Sequence, residues 1–398
     1  MRSLSLMAPL AGVALAARAT YDVVDTGYEK YLSENNWNQG TLPDLKTIQC
    51  LDDLELAAKQ GMTPGNWSHH RMAAGQEWGL RNNLEIWDEV KFRPRFFRDT
   101  NKLQDNLGIE LFGYNFSVPF FISPAGSAIK SNAKVAELDL VRAAGDENFL
   151  YIPSMYTSKS KEDIASVRRN NTLNGQQVLF QQIYTKTNIS ETYADLQKAE
   201  KLGFKAIVVT VDSPGDGVNL RTWRYSDEEY FTSNFRPNNW EVFQSFRNYT
   251  SLPIIAKGIS TVEQALEAVE HGLDGIYLSN HGGRQLEHAN APLEVAYEIY
   301  RNAPEIFEKV TVIADSGVRS GSDVLKLMAL GVKAVGVGRP FYYSNVYGYD
   351  GIVRAATLLK NEIIYDGWNV GINSLSDLDP SILDLNKLAT HVHLIEKN

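Results

Sequence analysis

From residue 118 onward the chain repeats one unit eight times: a short run rich in Val, Ile and Phe, then a stretch of helical periodicity. The runs are VPFFISPAG (118–126), FLYIP (149–153), VLFQQIY (178–184), AIVVTVD (206–212), PIIAKGI (253–259), GIYLSNH (275–281), TVIADSG (311–317) and AVGVGRP (334–340). Runs that are apolar throughout fit strands buried on both faces, and eight strand–helix units predict an α/β fold, a closed parallel (β/α)8 TIM barrel. Helical candidates include TVEQALEAVEHG (261–272) and GSDVLKLMALG (321–331), the second ending on a glycine suited to a helix C-terminus. A doubly wound open sheet is the competing layout, but it gives no reason for polar residues at every strand end.

Ahead of the barrel, residues 42 to about 98 read as amphipathic helix broken at Gly61, Pro64 and Gly65, an N-terminal helical extension rather than a separate domain. The expected organisation is a signal peptide (1–19), a polar segment (20–41) and one domain (42–390) with the barrel proper from about 118. The signal reading rests on Arg2, the apolar core Leu4 to Ala16 and the small-x-small site Ala17-Arg18-Ala19; that core is short for a bilayer span. Five N-x-Ser/Thr sequons, at Asn66, Asn115, Asn170, Asn188 and Asn248, are compatible with a glycosylating pathway, so the expectation is a secreted glycoprotein without a membrane span. A net charge of −9 argues against a nucleic-acid partner. The single cysteine, Cys50, permits no internal disulfide and lies near no glycine-rich elbow or paired histidine, so it reads as structural; no metal site is predicted.

In such barrels the chemistry sits at the carboxyl ends of the strands, and the loops after the last two strands often hold a phosphate. Those ends carry Gln182 and Tyr184, Asp212, Lys257, His281 with Arg284, Asp315 with Arg319, and Gly338 with Arg339. In DSGVRSG (315–321) and GVGRP (336–340) the glycines permit close backbone approach and the arginines offer donors to a phosphorylated cofactor or substrate. Pairing of Arg319 and Arg339 with carboxylates is the plainer alternative. The other group suits removal of hydrogen from a carbon that bears a hydroxyl beside a carboxylate. His281 can act as base, the role an imidazole suits, Asp212 can orient it, and Arg284 matches a carboxylate. Lys257 can hold negative charge developing on a cofactor ring, a contact whose loss costs ~3 to 4 kcal/mol. Period-two alternation alone would make Tyr184 core filling.

Taken together, SNHGGRQ (279–285), VTVDSP (209–214), AKG (256–258), DSGVRSG and GVGRP resemble the FMN-dependent 2-hydroxy-acid oxidases and dehydrogenases, the group of glycolate oxidase, lactate oxidase and lactate 2-monooxygenase. The resemblance runs from about Leu42 to Leu383. It implies FMN as cofactor, His281 as base paired with Asp212, and Arg284 and Tyr184 on the substrate carboxylate and hydroxyl. Lys257 would lie at the flavin N1/O2 edge, and Gln182, Thr210 and Ser279 along the isoalloxazine or ribityl chain. Ala125, Gly126 and Ser154 would lie beside the flavin, and Asp315, Gly317, Arg319, Gly338 and Arg339 would line the phosphate pocket. The implied reaction converts an (S)-2-hydroxy acid to the 2-oxo acid and passes electrons to O2, giving H2O2; family members are often tetramers or higher.

Several positions depart from the family pattern. A customary Tyr-Tyr pair is His69-His70, where His69 would take over a carboxylate contact, better still when protonated. Pro153 stands for the usual serine after strand two and Ala125 for the usual threonine after strand one. Asn219 stands for a customary arginine, with Arg221 as a substitute. Gly126 matches the monooxygenase branch, so oxidative decarboxylation is one alternative outcome, and an FMN-binding homologue without turnover is another.

Overall fold

Eight parallel strands carry the fold: β1 (Phe120–Ile122), β2 (Leu150–Tyr151), β3 (Gln181–Tyr184), β4 (Ile207–Thr210), β5 (Ile254–Ile259), β6 (Gly275–Leu278), β7 (Thr311–Ala314) and β8 (Ala334–Val337). Each lies inside one of the apolar runs. They pair in the order β2-β1-β8-β7-β6-β5-β4-β3. The outer two meet where Tyr151 bridges Leu179 in parallel and Gln182 N–H donates to Pro153 O at 3.0 Å, which closes the barrel. The computed structural model describes residues 26–35, 37–215, 217–225 and 239–393. The expected signal peptide lies outside them.

Alternation along the strands divides the core in two. Phe121, Phe180, Val208, Ile255, Tyr277 and Ile313 fill the barrel interior, while Phe120, Ile122, Val209 and Ile276 face the surrounding helices. A hairpin, Ile109–Leu111 with Tyr114–Phe116, adds Leu111 and Phe116 to the inner cluster, and Phe112 meets Phe180 edge-on. This leaves the carboxyl ends of the strands for polar residues.

The helical extension contains α1 (Leu51–Gly61), α2 (Pro64–Arg71) and α3 (Trp78–Glu85). Thr63 caps α2 by accepting from Asn66 N–H, and Pro64 occupies the first turn, where its missing N–H is not needed. Helix does not continue to residue 98: Lys91–Phe92 pairs antiparallel with Leu383–Asp384, and Pro94 disfavours helix at this point. Within the expected polar segment, the helix Tyr28–Glu34 buries Tyr28 and Leu32. Between β7 and β8 lies α4 (Gly321–Ala329), capped by Ser320 and Asp323, and after β8 come α5 (Arg339–Ser344) and α6 (Tyr349–Val370). Packing of α5 against α1 and α2 holds the extension over the carboxyl ends of the strands. Among the described residues no helix is long and apolar enough to cross a membrane.

Candidate active site

His281 begins the turn after β6 with φ +60, a left-handed conformation uncommon outside glycine, and its N–H donates to Ser279 Oγ at 3.1 Å. The next two glycines make room for neighbours. A Cβ on Gly282 would lie 2.9 Å from Arg339 Nη1, and one on Gly283 would lie 2.5 Å from Leu80 N of α3. The imidazole is thereby set between two strand ends. Its Nδ1 is 3.0 Å from Asp212 Oδ1 beyond β4, and its Nε2 is 3.4 Å from the Tyr184 hydroxyl on β3. Burial raises the Asp212 carboxyl, but the charge and hydrogen bond of His281, with the Lys257 ammonium, outweigh it and hold the group below its ordinary value. An ionised Asp212 accepts from Nδ1–H, which leaves the lone pair on Nε2, the side that faces Tyr184.

A continuous polar shelf crosses the ends of β2 to β6. Ser154 Oγ donates to Gln182 Oε1 at 3.0 Å, and Gln182 Nε2 donates to Thr210 Oγ1 at 2.9 Å. Lys257 Nζ, on a buried side chain, donates to Ser279 Oγ at 2.8 Å and stands 3.9 Å from Asp315 Oδ2. Asp315 also accepts from Tyr277 Oη at 2.7 Å and Ser316 Oγ at 2.9 Å. Ser154, next to Pro153, places its hydroxyl on this shelf through its bond to Gln182. Ala125 contributes its backbone oxygen, which accepts from Tyr342 Oη at 2.5 Å. Gly126 has a packing reason of its own, because a Cβ there would lie 2.9 Å from both Cβ and O of Tyr156.

The arginines separate into two kinds. Arg339 donates only to backbone carbonyls: Nε to His70 O at 3.0 Å, Nη1 to Gly282 O at 3.0 Å and Nη2 to Met72 O at 2.8 Å. Burial, then the charges of Arg284, Arg319 and Arg71, push it down to about 9 against some relief from Tyr343. A buried guanidinium without an anion is costly. This site is therefore suited to a resident anion, and Gly338 beside it leaves open space, with only Ser123 Cβ at 3.7 Å from a Cβ built there. The phosphate of FMN fits that cation, and the polar edge of its ring fits the shelf. Arg284 Nη1 donates to His69 O at 2.9 Å. Arg319, in contrast, lies 3.4 Å from Asp52 and 3.5 Å from Glu55 of α1, so for this arginine the plainer carboxylate pairing is what the structure contains. Gly317 is pressed against α3, where a Cβ would lie 1.9 Å from Asn83 O, rather than facing the open space beside Arg339.

Two further expectations need correction. Arg221 does not stand in for the missing arginine: its guanidinium forms a two-pronged pair with Glu77, Nε to Oε1 at 2.9 Å and Nη2 to Oε2 at 2.8 Å. Glu77 in turn lies 3.4 Å from the buried Arg71. His69 is half-buried and pushed down to about 3 by burial, Arg284 and Lys130, so it is neutral at neutral pH and offers one N–H instead of a charged donor. Sequence reading also passed over Tyr277 and Tyr156. Tyr277 is a hydroxyl inside an apolar strand, which was its signal, and Tyr156 stands 5.6 Å ring to ring from Tyr184.

A family model described as FMN-dependent dehydrogenase matches residues 58–228 and 224–385. An L-lactate dehydrogenase (cytochrome) from Wickerhamomyces anomalus is 33% identical over 369 residues, which cover 87% of this chain and 63% of that relative, so the chain spans less than two thirds of its length. A peroxisomal (S)-2-hydroxyacid oxidase from Arabidopsis thaliana is 33% identical over 338 residues, 78% of this chain and 90% of the relative. Among solved structures, the flavin-binding domain of baker's yeast flavocytochrome b2 superposes with a TM-score of 0.83 at 30% identity, covering 94% of each chain.

Proposed function

The chain belongs to the FMN-dependent dehydrogenase family, and on that premise we propose that it oxidises a small (S)-2-hydroxy carboxylic acid to the 2-oxo acid and delivers the electrons to dioxygen. The observation that carries this reading is the line Asp212–His281–Tyr184, with hydrogen-bonding distances of 3.0 and 3.4 Å, beside the buried Lys257. FMN, when bound, supplies the two-electron acceptor. His281 Nε2 takes the proton released as the carbinol becomes a carbonyl, and Asp212 stabilises the imidazolium that results. Tyr184 Oη orients the substrate oxygen next to Nε2. Arg284, braced against the end of α2, and the neutral N–H of His69 receive the carboxylate. Lys257 would hold the polar edge of the flavin with its side-chain nitrogen.

Support for oxygen as acceptor comes from the oxidase relative, 33% identical over 338 residues. The proposal includes passage through the secretory pathway, supported by exposure of the sequon residues Asn115, Asn170, Asn188 and Asn248, and assembly as a homo-tetramer or larger. The test is to mix the FMN-loaded protein with a panel of 2-hydroxy acids without oxygen, then admit air. Bleaching of the yellow colour, followed by its return with one peroxide per 2-oxo acid, is expected. Absence of bleaching across short, long and aromatic acids would overturn the reading, and bleaching that air does not reverse would overturn the choice of acceptor.

A further inference from the structure

His70 carries a polar atom that nothing among the described residues satisfies. The residue is 5% exposed, packs edge-on to His69 at 5.3 Å between ring centroids and against Tyr342 at 5.6 Å, and its Nε2 has no hydrogen-bond partner. A buried nitrogen in that condition is uncommon in a native protein and points to a partner the polypeptide does not supply. The charges acting on it are all positive. Its own carbonyl accepts from Arg339 Nε at 3.0 Å and is approached by Arg284 Nη1 at 3.5 Å, and Lys130 adds a third cation. Burial and these charges hold the imidazole well below its ordinary value, so the ring is neutral and can offer one N–H without adding charge.

A concentration of positive charge around an unused N–H favours an anion. An atom so enclosed is poorly placed for a substrate that exchanges at every turnover and well placed for a group that stays. We propose that His70 Nε2–H donates to a phosphate oxygen of the bound FMN, next to Arg339, an anchoring contact built on one of the two histidines that replace the family's tyrosine pair. The inference rests on the FMN reading above.

The test titrates the FMN-free protein with FMN and with riboflavin, which lacks the phosphate, and follows quenching of flavin fluorescence. The proteins compared are wild type, His70→Phe and His70→Gln. His70→Phe should weaken FMN about tenfold, ~1.4 kcal/mol, and leave riboflavin within about twofold, on the same scale. His70→Gln, which keeps an N–H, should recover most of the loss and shows that the position tolerates change. Unaltered FMN binding in His70→Phe, or equal weakening of both flavins, would overturn the proposal. A wild-type protein that takes up neither flavin would overturn the FMN reading itself, a different and recognisable result.

Discussion

Gly258, next to the last residue of β5, adopts φ +109, and a Cβ built there would lie 2.6 Å from Asp212 Cβ, 2.7 Å from its Cγ and 2.9 Å from its backbone N. Ordinary carbon contacts are about 3.5 to 4.0 Å, so Gly258→Ala requires Asp212 and its backbone to retreat by about 1 Å. The Oδ1 to Nδ1 distance to His281 is now 3.0 Å. A retreat of that size along this line takes the pair to about 4 Å, outside hydrogen-bonding range. A hydrogen bond to a charged group contributes ~1.5 to 3 kcal/mol, so flavin reduction should slow roughly 10- to 150-fold. The left-handed backbone adds about 1 to 2 kcal/mol of strain for a non-glycine residue, which should appear as a lowered melting temperature. Half-saturation by substrate should change little, because Arg284 is untouched. Anaerobic stopped-flow bleaching of the FMN-loaded variant separates these effects. A folded, yellow Gly258→Ala protein that is reduced at the wild-type rate, or one slowed only by losing FMN, would refute the steric argument.

Tyr184→Phe removes the phenol 3.4 Å from His281 Nε2 and should slow reduction about tenfold (~1.4 kcal/mol) while FMN content stays at wild-type level; an unchanged rate would show that the hydroxyl does not orient the substrate. Arg221→Ala breaks the pair with Glu77 and should cost about 1 kcal/mol in a denaturant titration, with substrate KM moving less than about threefold; a rise beyond about tenfold would place Arg221 on the substrate after all. Glu362 accepts from Gly321 N–H at 2.9 Å, and burial pushes its carboxyl up to about 7 from 4.5, against that hydrogen bond and with repulsion from Asp366, Asp323 and Asp52. The native state therefore keeps a proton that the unfolded chain releases, so the stability tied to it is complete below pH 4.5 and lost as pH rises through 7. Glu362→Gln should flatten the fall in melting temperature across that window, and a profile parallel to wild type would refute the assignment.

The barrel was legible because its strands are buried on both faces, and mostly apolar runs meet that condition; β3 meets it with Gln181 and Gln182 as well. For the same reason the runs overshoot: the final residues of VPFFISPAG and AVGVGRP leave the strands to form the rim, as at Gly126 and Arg339. Conversely, β1 and β2 are shorter than their runs. His281, Asp212, Tyr184 and Lys257 were readable because strand ends in a closed barrel must converge. What the sequence could not provide was the direction of the long cations. Arg221 reaches Glu77 across 144 residues and Arg319 reaches Glu55 across 264, separations that leave no periodic trace.

Two of the site's guanidiniums end on carbonyls at the close of α2: His69 O receives Arg284, while His70 O and Met72 O receive Arg339. Anyone stripping this protein to a minimal chassis should therefore not begin at residue 118. A bare barrel would retain every strand-end side chain yet leave Arg284 without the carbonyl of His69 and Arg339 with Gly282 O alone out of three carbonyls. The first helices are masonry of the chamber itself, and grafting this chemistry onto another eight-stranded scaffold would mean transplanting them as well.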